Sequence, residues 1–159
     1  MPNTPLLTHL RHDDRGVGFV ELAMVAPVLM LLCLGMIDIS RLVSARIDLE
    51  QAAQRTTDFA LARRPTSSNT SYLVTEGANA GGVSAQDVEV ELFLECDGVR
   101  QDDFNTPCPD GEVQARFASV AISRDVPTEF NWTGMARLFG HEGSGEAVAV
   151  TGDSVVRFQ

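Results

Sequence analysis

The chain has 159 residues, of which 44% are hydrophobic, and it carries 12 basic and 22 acidic side chains for a formal net charge of -10. This length allows one modest domain and excludes a large multidomain enzyme. Residues 65–159 hold 15 of the acids but only 5 of the bases, which argues against nucleic-acid binding because phosphate backbones attract basic surfaces.

The first predicted element is a membrane-spanning helix. Residues 17–37 form an apolar run of 21 residues in which Glu21 is the only charged side chain. Such a helix is about 32 Å long, which matches a hydrocarbon core about 30 Å thick. A helix in a soluble core would place polar residues at every third or fourth position, and this run does not. The sequence therefore predicts a membrane span at residues 17–37, preceded by a polar leader at residues 1–16.

Two residues inside the predicted span have alternative explanations. An ionised side chain deep in a bilayer costs about 2.5 to 3.5 kcal/mol, so Glu21 either pairs with an opposite charge or reaches the nearby interface. Pro27 removes a backbone donor and favours a kink, which either helps the helix to follow its neighbours or is simply tolerated. Arginines stand on both sides of the span, so the positive-inside rule does not decide its orientation.

The helical pattern continues beyond the span as an amphipathic extension at residues 38–64. No helix breaker occurs between Ile37 and Pro65, so one helix from Gly18 to Arg64 would be roughly 70 Å long. Apolar and small residues recur along it at alternating steps of three and four, which predicts a packing stripe. That stripe packs either on the chain's own sheet, the safer choice for a lone helix of this length, or on neighbouring subunits in an assembly. Its members are Leu42, Ala45, Leu49, Ala52, Thr56 and Phe59.

The remainder of the chain predicts a connector followed by a small β-rich domain. Residues 65–85 are rich in Ser, Thr, Asn and Gly and predict a mobile connector with a short turn of helix around residues 72–80. Period-two alternation then predicts strands at residues 88–95, 113–126 and 147–158 within a domain at 86–159. Gly152 is predicted to form a bulge in the last strand. The residues 130–139 are predicted to cap the core, and the whole is an α+β fold with one long helix on a small antiparallel sheet.

Cys96 and Cys108 bracket a loop rich in turn-forming residues. If this part of the chain is exported, the compartment permits oxidation, and closing the loop stabilises the fold by roughly 3 kcal/mol in the chain-entropy model. The alternative is a pair of reduced thiols. The sequence favours the disulfide.

Motifs for catalysis are missing from the sequence. It has no G-x-S-x-G, Walker or C-x-x-C pattern, and no spacing of His, Cys and acidic residues that is typical of a metal site. We therefore predict a protein that is not an enzyme, with no catalytic, cofactor-binding or metal-binding residues.

The N-terminal segment resembles the TadE-like minor pilin family, in the Flp (Tad) branch of type IV pilins. Residues 15–21, Arg-Gly-Val-Gly-Phe-Val-Glu, are similar to a prepilin processing site, with Gly directly before the apolar run and Glu at its fifth position. Residues 26–29 match the family's Pro-containing apolar segment. Residues 35–41 resemble its membrane exit, and residues 51–55 its alanine-rich continuation. The resemblance covers residues 15–64.

This resemblance implies roles for individual residues. A prepilin peptidase would cut after Gly16, so that Val17 becomes the mature N-terminus and Glu21 the fifth mature residue. In pilins this Glu is thought to pair with the free terminal amine of a neighbouring subunit. Opposite charges attract strongly in a medium of low dielectric, so such pairing fixes the register of subunits.

The resemblance thus implies a minor pilin or pseudopilin of a Tad (Flp) pilus assembly and secretion system, with a pilin-like fold. Its expected partners are a prepilin peptidase, other pilin subunits, the inner-membrane assembly platform and the lipid bilayer, and no nucleic acid. The expected location is the inner membrane, with the β-rich domain in the periplasm and possible incorporation into an extracellular pilus. The alternative is a bitopic periplasmic adaptor or binding protein whose anchor is not cleaved.

Overall fold

One long helix dominates the computed structural model, which describes residues 17–138, 140 and 147–159. Helix α1, Val17–Ala62, contains 46 residues with Pro27 inside it, and so it extends for about 69 Å. It ends shortly before Pro65, whose ring cannot continue a helix. The first part of α1 is apolar all round, whereas the second part is buried on one side only.

A four-stranded antiparallel sheet packs against the second part of α1. Its strands are β1 (Val88–Cys96), β2 (Val99–Gln101), β3 (Gln114–Pro127) and β4 (Ala147–Arg157), and their spatial order is β2-β1-β3-β4. Every neighbouring pair is antiparallel. The prediction of an α+β fold, with a long N-terminal helix packed on a small antiparallel sheet, is confirmed.

The hairpin between β1 and β2 was not predicted. Asp97 and Gly98 form its two-residue turn, and both have positive φ angles, 51° and 80°. A type I′ turn needs this left-handed conformation at both central residues, which explains the Asp-Gly sequence. Cys96 at the end of β1 forms a disulfide with Cys108, with 5.6 Å between the two Cα atoms. The long loop that leads to β3 is thereby fastened to the sheet.

The predicted connector contains a well-packed helix. Helix α2, Ser71–Gly81, follows the turn after α1, and its Leu73 side chain is fully buried. A Cβ on Gly77 would stand 2.9 Å from Val88 Cγ1, so this glycine lets the helix approach β1 closely. Gly82 ends the helix with a left-handed φ of 60°, a conformation that glycine adopts without strain. A 3-10 turn, Ala85–Asp87, then leads into β1.

The core lies between α1 and the sheet, where small helix residues allow close contact. Gly152 was predicted to form a bulge, but β4 pairs with β3 without interruption and Gly152 stands opposite Ile122. A Cβ at Gly152 would overlap the backbone of α1 at Leu49 and Glu50. The glycine is therefore needed for the approach of the helix and not for a bulge. The buried core residues around it are Leu49, Ala52, Ala53, Val88, Val120, Ile122 and Val150.

Candidate functional site

The first part of α1 is an apolar rod that the rest of the chain leaves uncovered. Within the described residues, α1 is the one helix that is long and apolar enough to cross a membrane, and only 6% of its most apolar window is buried. Burying this surface in water-free surroundings would be strongly favourable, since each Å² of apolar surface contributes about 25 cal/mol. The exposed large side chains here are Phe19, Val20, Leu22, Met24, Val25, Val28, Leu29, Met30, Leu31, Leu32, Met36 and Ile37.

Glu21 lies on the exposed surface near the start of this rod. It is four residues beyond Val17, the first residue of α1, and is therefore about one helical turn from it. Gly16 and the remainder of the predicted leader lie outside the described residues. Pro27 lies within α1, two turns further along.

The predicted stripe on the second part of α1 faces the chain's own sheet. Ala45, Leu49, Ala52 and Thr56 are buried there, whereas two members, Leu42 and Phe59, are half-buried. Thr56 Oγ1 donates a hydrogen bond to the carbonyl of Ala52, at 2.9 Å, and so leaves no polar atom unsatisfied at this contact. The stripe therefore packs within the chain through its four buried members.

The opposite face of α1 carries a second row of apolar residues, which the sequence analysis did not single out. Ile39, Val43 and Ile47 follow one another at steps of four residues and are 62%, 52% and 48% exposed. Four-residue steps place them on one face of the helix. The Arg46–Glu50 ion pair, at 2.9 Å, ends this row on the side away from the span.

A clamp between distant parts of the chain marks the end of the predicted span. Asp38 is only 4% exposed, although it is a charged residue on the first turn beyond residue 37. Its Oδ2 accepts a hydrogen bond from Trp132 Nε1 at 2.7 Å, and its Oδ1 accepts one from the backbone N–H of Glu129 at 2.8 Å. The indole also covers Gly35, where a Cβ would stand 3.5 Å from the ring.

The electrostatics of this clamp favour the ionised form of Asp38. The hydrogen bond from the Trp132 indole, followed by that from the Glu129 backbone, lowers the pKa of the Asp38 carboxyl below its ordinary value. Burial acts in the opposite direction and is the smaller influence. One turn further along α1, the side chains of Arg41 and Glu129 form an ion pair. The loop after β3 is thus tied to α1 by both the main chain and the side chain of Glu129.

The acidic loop that the disulfide closes is organised by its own carboxylates. Asp103 accepts hydrogen bonds from the backbone N–H of Asn105 at 2.9 Å and from Thr106 Oγ1 at 2.8 Å. The first of these bonds is the main reason why the pKa of Asp103 is lowered. Among the described residues, no group of three or more His, Cys, Asp or Glu side chains is placed to hold a metal ion.

Sequence reasoning missed the clamp, although two signals pointed towards it. An acid directly after an apolar span needs hydrogen-bond donors if it is buried. The chain has a single Trp, and an indole N–H in a protein interior usually finds an acceptor. Neither signal identifies the partner, because the two residues are 94 positions apart.

Comparison with known protein families relates the N-terminal part of the chain to a described family. The model of the family described as TadE-like protein matches residues 16–58, which include the predicted span and most of the residues that pack on the sheet. The strands and the disulfide lie outside the matched segment. The chain matches no curated protein and no solved structure.

Proposed function

We propose that this chain, which is TadE-like over residues 16–58, is a minor pilin or pseudopilin of a Tad (Flp) pilus assembly and secretion system. In this proposal a prepilin peptidase cuts after Gly16, and the span at residues 17–37 anchors the protein in the inner membrane. The β-rich domain then lies in the periplasm, and the subunit enters or primes the pilus. Its partners are the peptidase, other pilin subunits, the assembly platform and the bilayer.

The observation that carries this proposal is a bare apolar rod with an acid near its start. Glu21 is exposed on that rod, and no ion pair with it is found among the residues that the structure describes. An ionised carboxylate at such a position is stabilised by an opposite charge. Cleavage after Gly16 creates an amine at Val17, and the same amine on a neighbouring subunit supplies the missing charge.

The proposed role is structural and not catalytic. Asp38 and Asp103, the two acids among the described residues whose pKa values are lowered, are held by hydrogen bonds from their own surroundings. Each supports local structure: the first fastens the loop after β3 to α1, and the second orders the disulfide loop. The protein would contribute a helix for packing and a domain surface for contact with other subunits.

A bitopic periplasmic adaptor with an uncleaved anchor is the alternative function. The exposed apolar rod and the packed domain would serve it equally well. It differs from the proposed function in one respect that can be measured, namely the N-terminus of the mature protein.

Mass spectrometry of the protein purified from cells with an intact Tad system tests the proposal. We expect a mature chain that begins at Val17, and loss of this cleavage in the Gly16→Leu variant, because a bulky side chain would occupy the position before the cut. Gly18→Leu is the matched control, since a Cβ at Gly18 meets no atom within 4 Å. We expect this control to be cleaved. Unchanged material that still begins with Met1 would refute the pilin function and leave the adaptor.

A further inference from the structure

We propose that the aromatic loop, residues 129–132, lies in the interface of the lipid bilayer and docks the β-rich domain on the membrane beside its own anchor. The partner of this surface is lipid, at the level where acyl chains meet headgroups. The inference rests on the proposed membrane anchoring, but it adds a second and separate contact with the membrane. It concerns a part of the chain that is about 90 residues away from the span in sequence.

The depth of the aromatic loop follows from its contact with α1. The Trp132 ring lies 3.5 Å from the position that a Cβ on Gly35 would occupy. Gly35 belongs to the predicted span and precedes its last residue, Ile37, by about 3 Å along the helix axis. A side chain that packs against the last turn of a membrane span is itself at the level of the membrane surface.

The chemistry of the loop suits that level. Trp132 directs its N–H towards Asp38 and leaves the ring half-buried. Phe130, also half-buried, makes an edge-to-face contact with the indole, with 4.7 Å between the ring centroids. Trp is enriched at membrane interfaces because its ring is apolar while its N–H needs a polar partner. Here the protein supplies that partner itself.

The charged groups around the loop lie on the side that faces away from the hydrocarbon. Arg41 and Glu129 form their ion pair one turn beyond Asp38, and their side chains are 50% and 52% exposed. This position corresponds to the headgroup layer, which accommodates charges. The sequence of groups along the axis is therefore ring, carboxylate and ion pair, in order of increasing polarity.

On the opposite face of α1, the exposed apolar surface extends further from the span than the aromatic loop does. There the exposed row Ile39, Val43 and Ile47 continues the apolar surface past the span, for about 15 Å beyond residue 37. A helix that leaves the bilayer obliquely would keep this face in lipid while the clamp side reaches the interface. Lipid is thus the occupant that accounts for both faces, because it surrounds the helix at this level.

Quenching of Trp132 fluorescence by brominated lipids tests the inference on the full chain in vesicles of phosphatidylcholine and phosphatidylglycerol. Trp132 is the only Trp, so its emission needs no assignment. We expect lipids brominated near the headgroup to reduce this emission by about twofold, as for a ring in the interfacial belt. Lipids brominated near the end of the acyl chain should quench it less.

Two relocated tryptophans provide the controls. In the double variant Trp132→Phe, Met30→Trp, the probe is placed in the middle of the span, and deep bromines should quench it most. In Trp132→Phe, Tyr72→Trp, the probe lies beside Arg63, about 39 Å along α1 from the end of the span. Neither brominated lipid should quench that probe.

The outcomes separate the aromatic loop from the anchor. If the Met30→Trp probe is quenched but the unchanged Trp132 is not, the interfacial loop is refuted and the membrane anchor stands. If Trp132 is instead shielded from acrylamide without any quenching by lipid, another protein surface covers the loop, and the inference is equally refuted. If the Met30→Trp probe is not quenched and the chain fails to float with the vesicles, the anchor itself is refuted.

Discussion

Asp38 connects the two halves of α1 to the loop after β3. Its carboxylate accepts hydrogen bonds from Trp132 and Glu129, and the ion pair of Arg41 with Glu129 lies one turn away. Because the bonds to Asp38 are strongest when it is ionised, its charge state controls how firmly the loop is held.

We expect the environment of Trp132 to change only in strong acid. The pKa of Asp38 is lowered from its ordinary value of 3.8, so the ionised form stabilises the folded state. That contribution is complete above pH 3.8 and is lost as the pH falls through the lower pKa of the folded state. The measurement is Trp132 emission of the full chain in detergent micelles, titrated from neutral to acid pH.

The Asp38→Asn variant is the control for this titration. It keeps an acceptor oxygen for the indole but removes the ionisable group, so the acid transition should disappear. A transition that persists in the variant would belong to another group. A midpoint above 3.8 in the unchanged protein would contradict the lowered pKa.

Short-range signals made some residue-scale features predictable, while others depended on distant partners. Cys96 and Cys108 bracket one loop between strands, so their pairing follows from local sequence. The clamp does not, because Glu129 and Trp132 are 91 and 94 positions from Asp38. The role of Gly152 was ambiguous for a related reason. A glycine within a strand can mark either a bulge or the close approach of another backbone, and the sequence does not show which element packs against it.

The contact of α1 with β4 depends on the absence of a side chain at Gly152. A Cβ at this position would overlap the backbone at Leu49 and Glu50, and a helix backbone cannot move aside as a flexible side chain can. Next to this contact, Thr57 Oγ1 and Ser154 Oγ share a hydrogen bond at 3.0 Å. Helix and strand are thus held at a separation that only glycine permits.

We expect Gly152→Ala to destabilise the domain by about 1 to 3 kcal/mol, the range for overpacking of a filled core. The measurement is denaturant unfolding of the full chain in detergent, monitored by the circular dichroism signal of the sheet. Gly134→Ala is the matched control, because a Cβ there meets no atom within 4 Å. Gly134 lies in a short helix, Thr133–Leu138, so this change should be neutral or should stabilise the domain by up to about 1 kcal/mol. Equal stability of both variants would contradict the close packing at Gly152.

Elements with a strong period were predicted, and elements defined by turns were not. Helix α1 was predictable because apolar residues and good helix formers continue to Pro65, interrupted only by Pro27, which a membrane helix tolerates. Strands β1, β3 and β4 showed period-two alternation. Helix α2 was predicted only as a short turn of helix at residues 72–80 within a connector, because Gly77, Gly81 and their polar neighbours resemble a loop. In the fold these glycines serve close packing. Strand β2 is only three residues long, and the one sequence signal that indicated a hairpin at this point was the Asp-Gly turn.

On the scale of the whole molecule, assembly and membrane insertion should be separable. We expect Glu21→Ala to reduce co-purification with other pilin subunits by about tenfold, which corresponds to about 1.4 kcal/mol, because removing one partner of a buried ion pair leaves the other charge uncompensated. Membrane insertion should be unaffected, since the change makes the span more apolar. The measurement is a pull-down from detergent extracts, with alkaline extraction of membranes as the assay of insertion.

Glu76→Ala is the control for this pull-down, because it removes a half-buried acid on α2, far from the span. It should co-purify as the unchanged protein does. If Glu21→Ala also co-purifies normally, the proposed pairing with a neighbour's terminal amine is wrong. If it is lost from the membrane, the carboxylate has a role in insertion that the pairing does not explain.

The continuity of α1 has a mechanical consequence. Between Pro27 and Ala62 the helix is unbroken, and this stretch contains both most of the exposed apolar rod and the residues that support the sheet. This stretch has no break at which the two parts of the helix could bend or turn independently. If an assembly machine binds the rod and moves it along its axis or rotates it, the sheet should therefore move with the helix as one rigid body.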